Sequence, residues 1–322
     1  MKIQPVSQFY KNNSMRNISF RSICPATDQQ TTLEYVKYAS ENKEFEKLFY
    51  GTTFLARGLQ TRLAVARLLN PKDKIQIKIL GCSDGTTATA FAIAIREVFG
   101  SNFKNVQIEG VDNKPYFIDI ANTGCTVLSD KEKSIFDLEF KHMAKIKSAS
   151  SKYFSKTDAP LEFASIKEKY PLTRYVDSNA AANAAKIKLS WHKINEKELP
   201  QTKFFLGDMK EFIEPDEASQ TIVYVIENSI TYNIENDSDY FADILNKIGT
   251  QCKDKKHVYL VIGGLEKKFL DGGYDNEISP EARTKTIKKM NETGFNKITG
   301  YWADKLKLDN FDHSIDKIYQ MK

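Results

Sequence analysis

Two glycines four positions apart, in Gly81-Cys82-Ser83-Asp84-Gly85, stand between an apolar alternating run and an Ala-rich run. Glycine tolerates the sharp turn from strand to helix and lets a ligand lie close to the backbone at a positive helix N-terminus. Further along, Val106–Val111 ends on Asp112, a carboxylate able to accept both hydroxyl hydrogens of a ribose. The chemistry suggested is recognition of a nucleoside, with Gly81, Ser83, Asp84 and Gly85 in the loop and Asp112 beside it. Asp84 can equally serve as a helix cap, and Asp112 as a turn residue before Pro115. A dinucleotide would fit the same arrangement, so the ligand is still open at this point.

Other reactive side chains form no recognisable set. His142, His192, His257 and His313 are scattered and read as structural or surface residues. Cys24, Cys82, Cys125 and Cys252 are too far apart for a CxxC pair and too few for a disulfide scaffold, so free thiols in a reducing, cytoplasmic setting are expected. No metal site is expected.

The elements needed to position these residues can be read from periodicity. Lys74–Leu80 alternates, with Ile75, Ile77 and Ile79 on one side and Lys74, Gln76 and Lys78 on the other. A helix should follow from Thr86 to Phe99, stopped by Gly100, then the strand Val106–Val111 and a helix opened by Pro115. Lys203–Leu206, Thr221–Ile226 and His257–Ile262 read as further apolar strands, with a helix from about Ser238 to Gln251 and another from Pro280 to Gly294. Phe295–Trp302 and Ser314–Met321 suggest a closing hairpin. The expectation is a single α/β domain over 72–322: a doubly wound, mostly parallel, seven-stranded Rossmann-like sheet with an antiparallel C-terminal hairpin. A flexible leader (1–30) and a helical segment (31–71) should precede it, and a basic helical insert (131–200) should interrupt it.

Several segments resemble, in order, those of the chemotaxis receptor (CheR-type) methyltransferases, which are S-adenosylmethionine-dependent. Besides the glycine loop, Thr53-Phe54-Leu55-Ala56-Arg57 is similar to the family's Thr-x-Phe-Phe-Arg stretch, and the resemblance implies that Arg57 holds the methionine carboxylate of the cofactor. Val111-Asp112 resembles the segment that binds the ribose, and Phe205-Leu206-Gly207-Asp208 lies where the family contacts adenine, implicating Asp208. Asn228-Ser229-Ile230-Thr231-Tyr232 is similar to Asn-Val-x-Ile-Tyr beside the reacting methyl, which implies catalytic or binding roles for Asn228 and Tyr232. Leu260 to Glu266 is similar to the Gly-His-Ser-Glu region. Departures are Gly85-Thr86-Thr87 for the family's Gly-Glu-Glu, and Glu227 for its arginine. A carboxylate at Glu227 would attract an amine acceptor and could take its proton. The implied activity is methyl transfer to a protein side chain or small molecule. The alternative is a noncatalytic cofactor-binding or partner-binding pseudoenzyme, and a nicotinamide-dependent oxidoreductase is a third class.

Composition sets the outer limits. The 322 residues are 41% hydrophobic and 28% charged, with a net charge of +5, which suits a folded globular chain. Residues 131–200 hold 14 Lys and Arg against 9 Asp and Glu, so that insert accounts for the whole excess. It is expected to be a helical lid over the acceptor side. Without an Arg-aromatic pattern it is not read as a nucleic-acid surface. The low-charge run Thr86–Ile95 is too short for a membrane span. The sequence carries no signature of a particular oligomeric state.

Overall fold

The computed structural model describes residues 55, 58–144, 149–162, 165–166, 189–227, 229–234, 237–263, 269–272, 280–298 and 317–322. The expected leader (1–30) lies outside the described residues, as does most of the N-terminal helical segment. In chain order the elements are α1 (Leu59–Leu68), β1 (Ile75–Leu80), α2 (Thr86–Phe99), β2 (Val106–Asp112), α3 (Pro115–Ala121), β3 (Cys125–Ser129), α4 (Asp130–Ala144), α5 (Ala149–Tyr153), β4 (Phe154–Lys156) and β5 (Leu189–Ile194). They continue with β6 (Gln201–Leu206), β7 (Thr221–Glu227), α6 (Thr231–Ile234), α7 (Tyr240–Gln251), β8 (His257–Gly263), α8 (Pro280–Glu292), β9 (Phe295–Lys297) and β10 (Lys317–Met321).

Seven strands form one sheet in the order β6-β2-β1-β7-β8-β10-β9. β6, β2, β1, β7 and β8 are parallel, while β10 runs antiparallel to β8 and β9. This is the mostly parallel Rossmann-like α/β sheet with an antiparallel C-terminal pair. Its central strands are buried on both faces, as crossover helices require. Along β7, Ile222, Tyr224 and Ile226 join a core with Phe241, Ile244, Leu245 and Ile248 of α7, and Val223 and Val225 are buried on the opposite face. Each such side chain contributes about 1.5–3 kcal/mol when fully buried. Pro280 starts α8, and Gly294, at φ 76°, ends it where a side chain would be strained.

β1 departs from the half-exposed strand that its alternation suggests, because all six of its residues are buried. The polar side is neutralised locally. Gln76 Nε2 donates to Glu109 Oε2 at 2.8 Å, and the Asp216 amide donates to Gln76 Oε1 at 2.9 Å. Lys78 Nζ donates to the Phe212 carbonyl at 3.0 Å, lies 3.5 Å from Glu109 and sits over the Phe212 ring. Burial pushes the Lys78 ammonium below its ordinary pKa, with Glu109 opposing the shift.

The chain divides into two compact units. One holds the seven-stranded sheet, from Gly58–Cys82, Ala88–Pro115 and Glu196–Lys322; the other includes Ser83–Thr87 and Tyr116–Asn195. The insert is not purely helical. After α4 and α5, β4 and β5 join β3 in an antiparallel sheet of order β3-β5-β4. Leu189-Ser-Trp-His-Lys-Ile has the alternation of a strand, and its partner Cys125–Ser129 supplies the ladder that local propensity could not reveal. Phe136, Phe140, Tyr153 and Phe154 give this unit its own core, with the Phe136 and Phe140 rings 4.7 Å apart.

His192, on β5, is buried and structural. Its Nδ1–H donates to the Ser190 carbonyl at 2.9 Å, so Nε2 accepts from Lys133 Nζ at 3.1 Å. Burial first, and the neighbouring Lys133, hold the ring below its ordinary pKa. A base whose folded pKa is depressed binds its proton more readily when unfolded. Its contribution is therefore intact above the ordinary imidazole value of about 6.5 and is lost as pH falls below it. Urea midpoints are expected to drop below that pH, and a His192→Gln protein should show a smaller drop; equal slopes for the two proteins would disprove the linkage.

Candidate functional site

The register aligns the C-terminal ends of the parallel strands. Phe205 pairs with Val111, Val111 with Leu80, Leu80 with Ile226, and Ile226 with Ile262. Just past that row come Gly207-Asp208 after β6, Asp112 at the end of β2, Gly81 after β1 and Glu227 at the end of β7. The chain runs outward from β1 through β2 to β6, then returns to β7 on the other side. The switch point thus lies between Gly81 and Glu227, where open α/β sheets bind ligands. With strands about 4.8 Å apart, Asp208 to Glu227 covers roughly three strand spacings.

The glycine turn is built on close backbone approach. Gly81 has φ 83°, and a Cβ there would stand 2.2 Å from the Ser229 Cβ. The amides of Gly81 and Cys82 both donate to the Val111 carbonyl at 2.9 Å, so these two N–H groups fasten β1 to β2 rather than waiting bare for a ligand. Ser83 and Gly85 follow at φ 52° and 83°. Asp84 Oδ1 accepts from the Thr86 amide at 3.2 Å, capping the start of α2. Ser229 Oγ donates to the Leu80 carbonyl at 2.7 Å and pins the segment after β7 to the end of β1.

Asp112 Oδ1 accepts from the Lys114 amide at 2.9 Å, which fixes the carboxylate at the turn into α3. Its backbone carbonyl accepts from the Gly207 amide at 3.0 Å and holds the loop carrying Asp208 next to it. Asp208 Oδ1 accepts twice, from the Lys210 amide at 2.7 Å and from Tyr240 Oη at 2.8 Å. Burial and the adjacent Asp208 push the Tyr240 phenol well above its ordinary range, so it remains a donor.

Glu227 Oε2 accepts from Arg62 Nη2 at 3.1 Å, with both side chains essentially out of water. Arg62, in the first turns of α1, is fully buried and stacks over the Phe91 ring at 5.5 Å. Among the described residues, Arg62 Nε and Nη1 and Glu227 Oε1 are buried without hydrogen-bond partners. The sequence reading missed Arg62. The available signal was its place in the apolar stripe of α1, three residues after Leu59 and four before Ala66.

Of the other expected site residues, Arg57 and Asn228 lie outside the described residues, and Tyr232 belongs to α6. Among the described residues no cluster of His, Cys, Asp or Glu could hold a metal, and no helix is long and apolar enough to cross a membrane. Cys82, Cys125 and Cys252 are buried free thiols; Cys24 lies outside the described residues.

No protein-family model matches the chain, and no curated protein does. Among solved structures it is similar to a TehB-like SAM-dependent methyltransferase from Corynebacterium glutamicum, at 12% identity and a TM-score of 0.35 over 92% of this chain and 100% of that one. It is similar also to the N-methyltransferase NodS from Bradyrhizobium japonicum, at 9% identity and a TM-score of 0.34 over 81% and 92%. A SAM-dependent methyltransferase from Methanosarcina mazei gives 12% identity and a TM-score of 0.34 over 80% and 96%. The chain's own strand order and strand directions establish that it carries a doubly wound, Rossmann-like α/β sheet.

Proposed function

We propose that this protein binds S-adenosylmethionine along the β6-β2-β1-β7 edge and transfers its methyl group to a protein side chain or small molecule. One observation carries the reading: the aligned strand ends, which put Asp112, Gly81 and Glu227 one residue past a single row of the sheet, with Asp208 on the β6 loop that the Gly207 amide ties to the Asp112 carbonyl. In this reading Asp208 accepts the adenine amino hydrogens, Asp112 the ribose hydroxyls, and the 81–85 turn lets the ligand lie against the backbone. Arg57, by its resemblance, would meet the methionine carboxylate. Asn228 and Tyr232 would flank the reacting methyl. The nucleophile attacks the methyl carbon in line as the carbon–sulfur bond breaks, leaving S-adenosylhomocysteine, and the acceptor sheds a proton.

The geometry bears on the acceptor. Arg62 compensates the charge of Glu227, so a bare carboxylate selecting an amine is no longer the basis for choosing nitrogen over carboxyl methylation. A CheR-like acceptor and a noncatalytic binder both remain as finer readings, the latter supported by Thr86-Thr87 in place of cofactor-fixing carboxylates.

Asp112→Ala is expected to weaken S-adenosylhomocysteine binding by about 1.5–3 kcal/mol, the range for a hydrogen bond to a charged group, without loss of fold. Calorimetry with that ligand and with NAD tests the reading. Preferential NAD binding, or unchanged affinity in a folded Asp112→Ala protein, would overturn it. Turnover with tritiated donor then separates enzyme from binder, and base lability of the label separates esters from amines.

A further inference from the structure

Deep beside the switch point the structure leaves an unusual remainder. Arg62 is completely buried, yet among the described residues only Nη2 is used; Nε, with one N–H, and Nη1, with two, have no partner there. Glu227, its partner, leaves Oε1 buried and equally unmatched. Buried polar atoms are ordinarily satisfied, and an unpaired charged group is more costly than a neutral one. The pair as a whole is neutral, but it has spare donors on its cationic half and a spare acceptor on its anionic half. A lone anion at this place would meet the Glu227 carboxylate, and a lone cation would meet the guanidinium. A zwitterion carrying one carboxylate and one ammonium satisfies both halves and keeps the total charge at zero.

We infer that Arg62 and Glu227, rather than the Arg57 that the resemblance implies, form a clamp for the amino-acid end of the cofactor, the guanidinium taking the α-carboxylate and Glu227 Oε1 taking the α-ammonium. This deepens, and rests on, the proposed cofactor site. The order along the sheet edge agrees with the order of groups in the ligand: Asp208 and Asp112 lie on the β6-β2 side for the nucleoside, and Glu227 ends β7, two strand positions beyond Asp112, where the arm after the sulfur would arrive. Arg62 itself is held in place, since its amide donates to the Gly58 carbonyl at 3.0 Å and its guanidinium stacks on Phe91.

The test compares two probes by calorimetry: S-adenosylhomocysteine, which has the amino-acid arm, and 5′-methylthioadenosine, which lacks it. The proteins are wild type, Arg62→Met/Glu227→Leu, in which apolar side chains replace the whole pair, and Glu227→Gln. The glutamine can still accept from Arg62 while putting a donor where Oε1 was. The double variant should bind S-adenosylhomocysteine about 10- to 100-fold more weakly, as expected for lost charged hydrogen bonds, and Glu227→Gln about tenfold more weakly. Methylthioadenosine affinity should stay unchanged in both. Should the double variant not fold, as read by circular dichroism, Glu227→Gln alone decides. Equal weakening of both probes, or no weakening of either, overturns the clamp and leaves the cofactor reading standing. Wild type that binds neither probe overturns the cofactor reading itself, and the clamp with it.

Discussion

Gly81→Ala is expected to destabilise the protein by about 2–5 kcal/mol, since a left-handed backbone costs a non-glycine residue about 1–2 kcal/mol and overpacking about 1–3 more. The methyl group would stand 2.2 Å from Ser229 Cβ and 2.9 Å from its Oγ. Rotation of the serine side chain cannot move its own Cβ, so the backbone after β7 must yield. That displacement would also break the 2.7 Å bond from Ser229 Oγ to the Leu80 carbonyl and shift the segment leading to Tyr232. Such a loss is a large part of the roughly 5–15 kcal/mol that holds most domains together, so a folded but weakened protein should result. Urea denaturation should show the lower midpoint, and Ser229→Gly introduced into Gly81→Ala should restore part of it. Strict additivity of the two changes would mean that the contact does not exist, because touching residues couple.

The second large effect concerns the buried pair. Arg62→Ala or Glu227→Ala alone should cost about 3–5 kcal/mol, because each leaves an uncompensated charge in the interior. Arg62→Met/Glu227→Leu should be near neutral or even stabilising, since apolar side chains fill the space and no charge remains to be solvated. Three polar atoms of the pair already lack partners among the described residues, which adds to the cost of keeping it charged. Chemical denaturation of the four proteins without ligand checks it, and a double variant as unstable as the sum of its singles would mean that the two residues do not act as a pair and would overturn it. Added S-adenosylhomocysteine should raise the midpoint of wild type more than that of the double variant, since stabilisation grows with the logarithm of ligand concentration over Kd.

Much of the large sheet was determined by the sequence itself. Alternating or continuous apolar runs identified β1, β2, β6, β7, β8 and both closing strands, because burial of one or both faces imposes a period that needs no knowledge of partners. Pro280 and Gly294 bounded α8 for equally local reasons: a fixed φ at the start and a positive φ at the end. The glycine loop and Asp112 were visible because turn chemistry and strand ends leave residue-level marks. Tertiary structure decided what depends on contacts between distant segments. The sequence divided β1 into apolar and polar sides, but only the arrival of Glu109, Phe212 and Asp216 shows how a lysine and a glutamine can be buried on the second. β4 and β5 fall in the insert read as helical, because the ladder that fixes β5 as a strand is made with Cys125–Ser129, some sixty residues earlier in the chain. Glu227 was legible as a charge near the site, but its meaning was not. That side chain pairs with Arg62, 165 positions away, and pairing over such a separation is written in the folded arrangement of α1 and β7, not in any local pattern of residues.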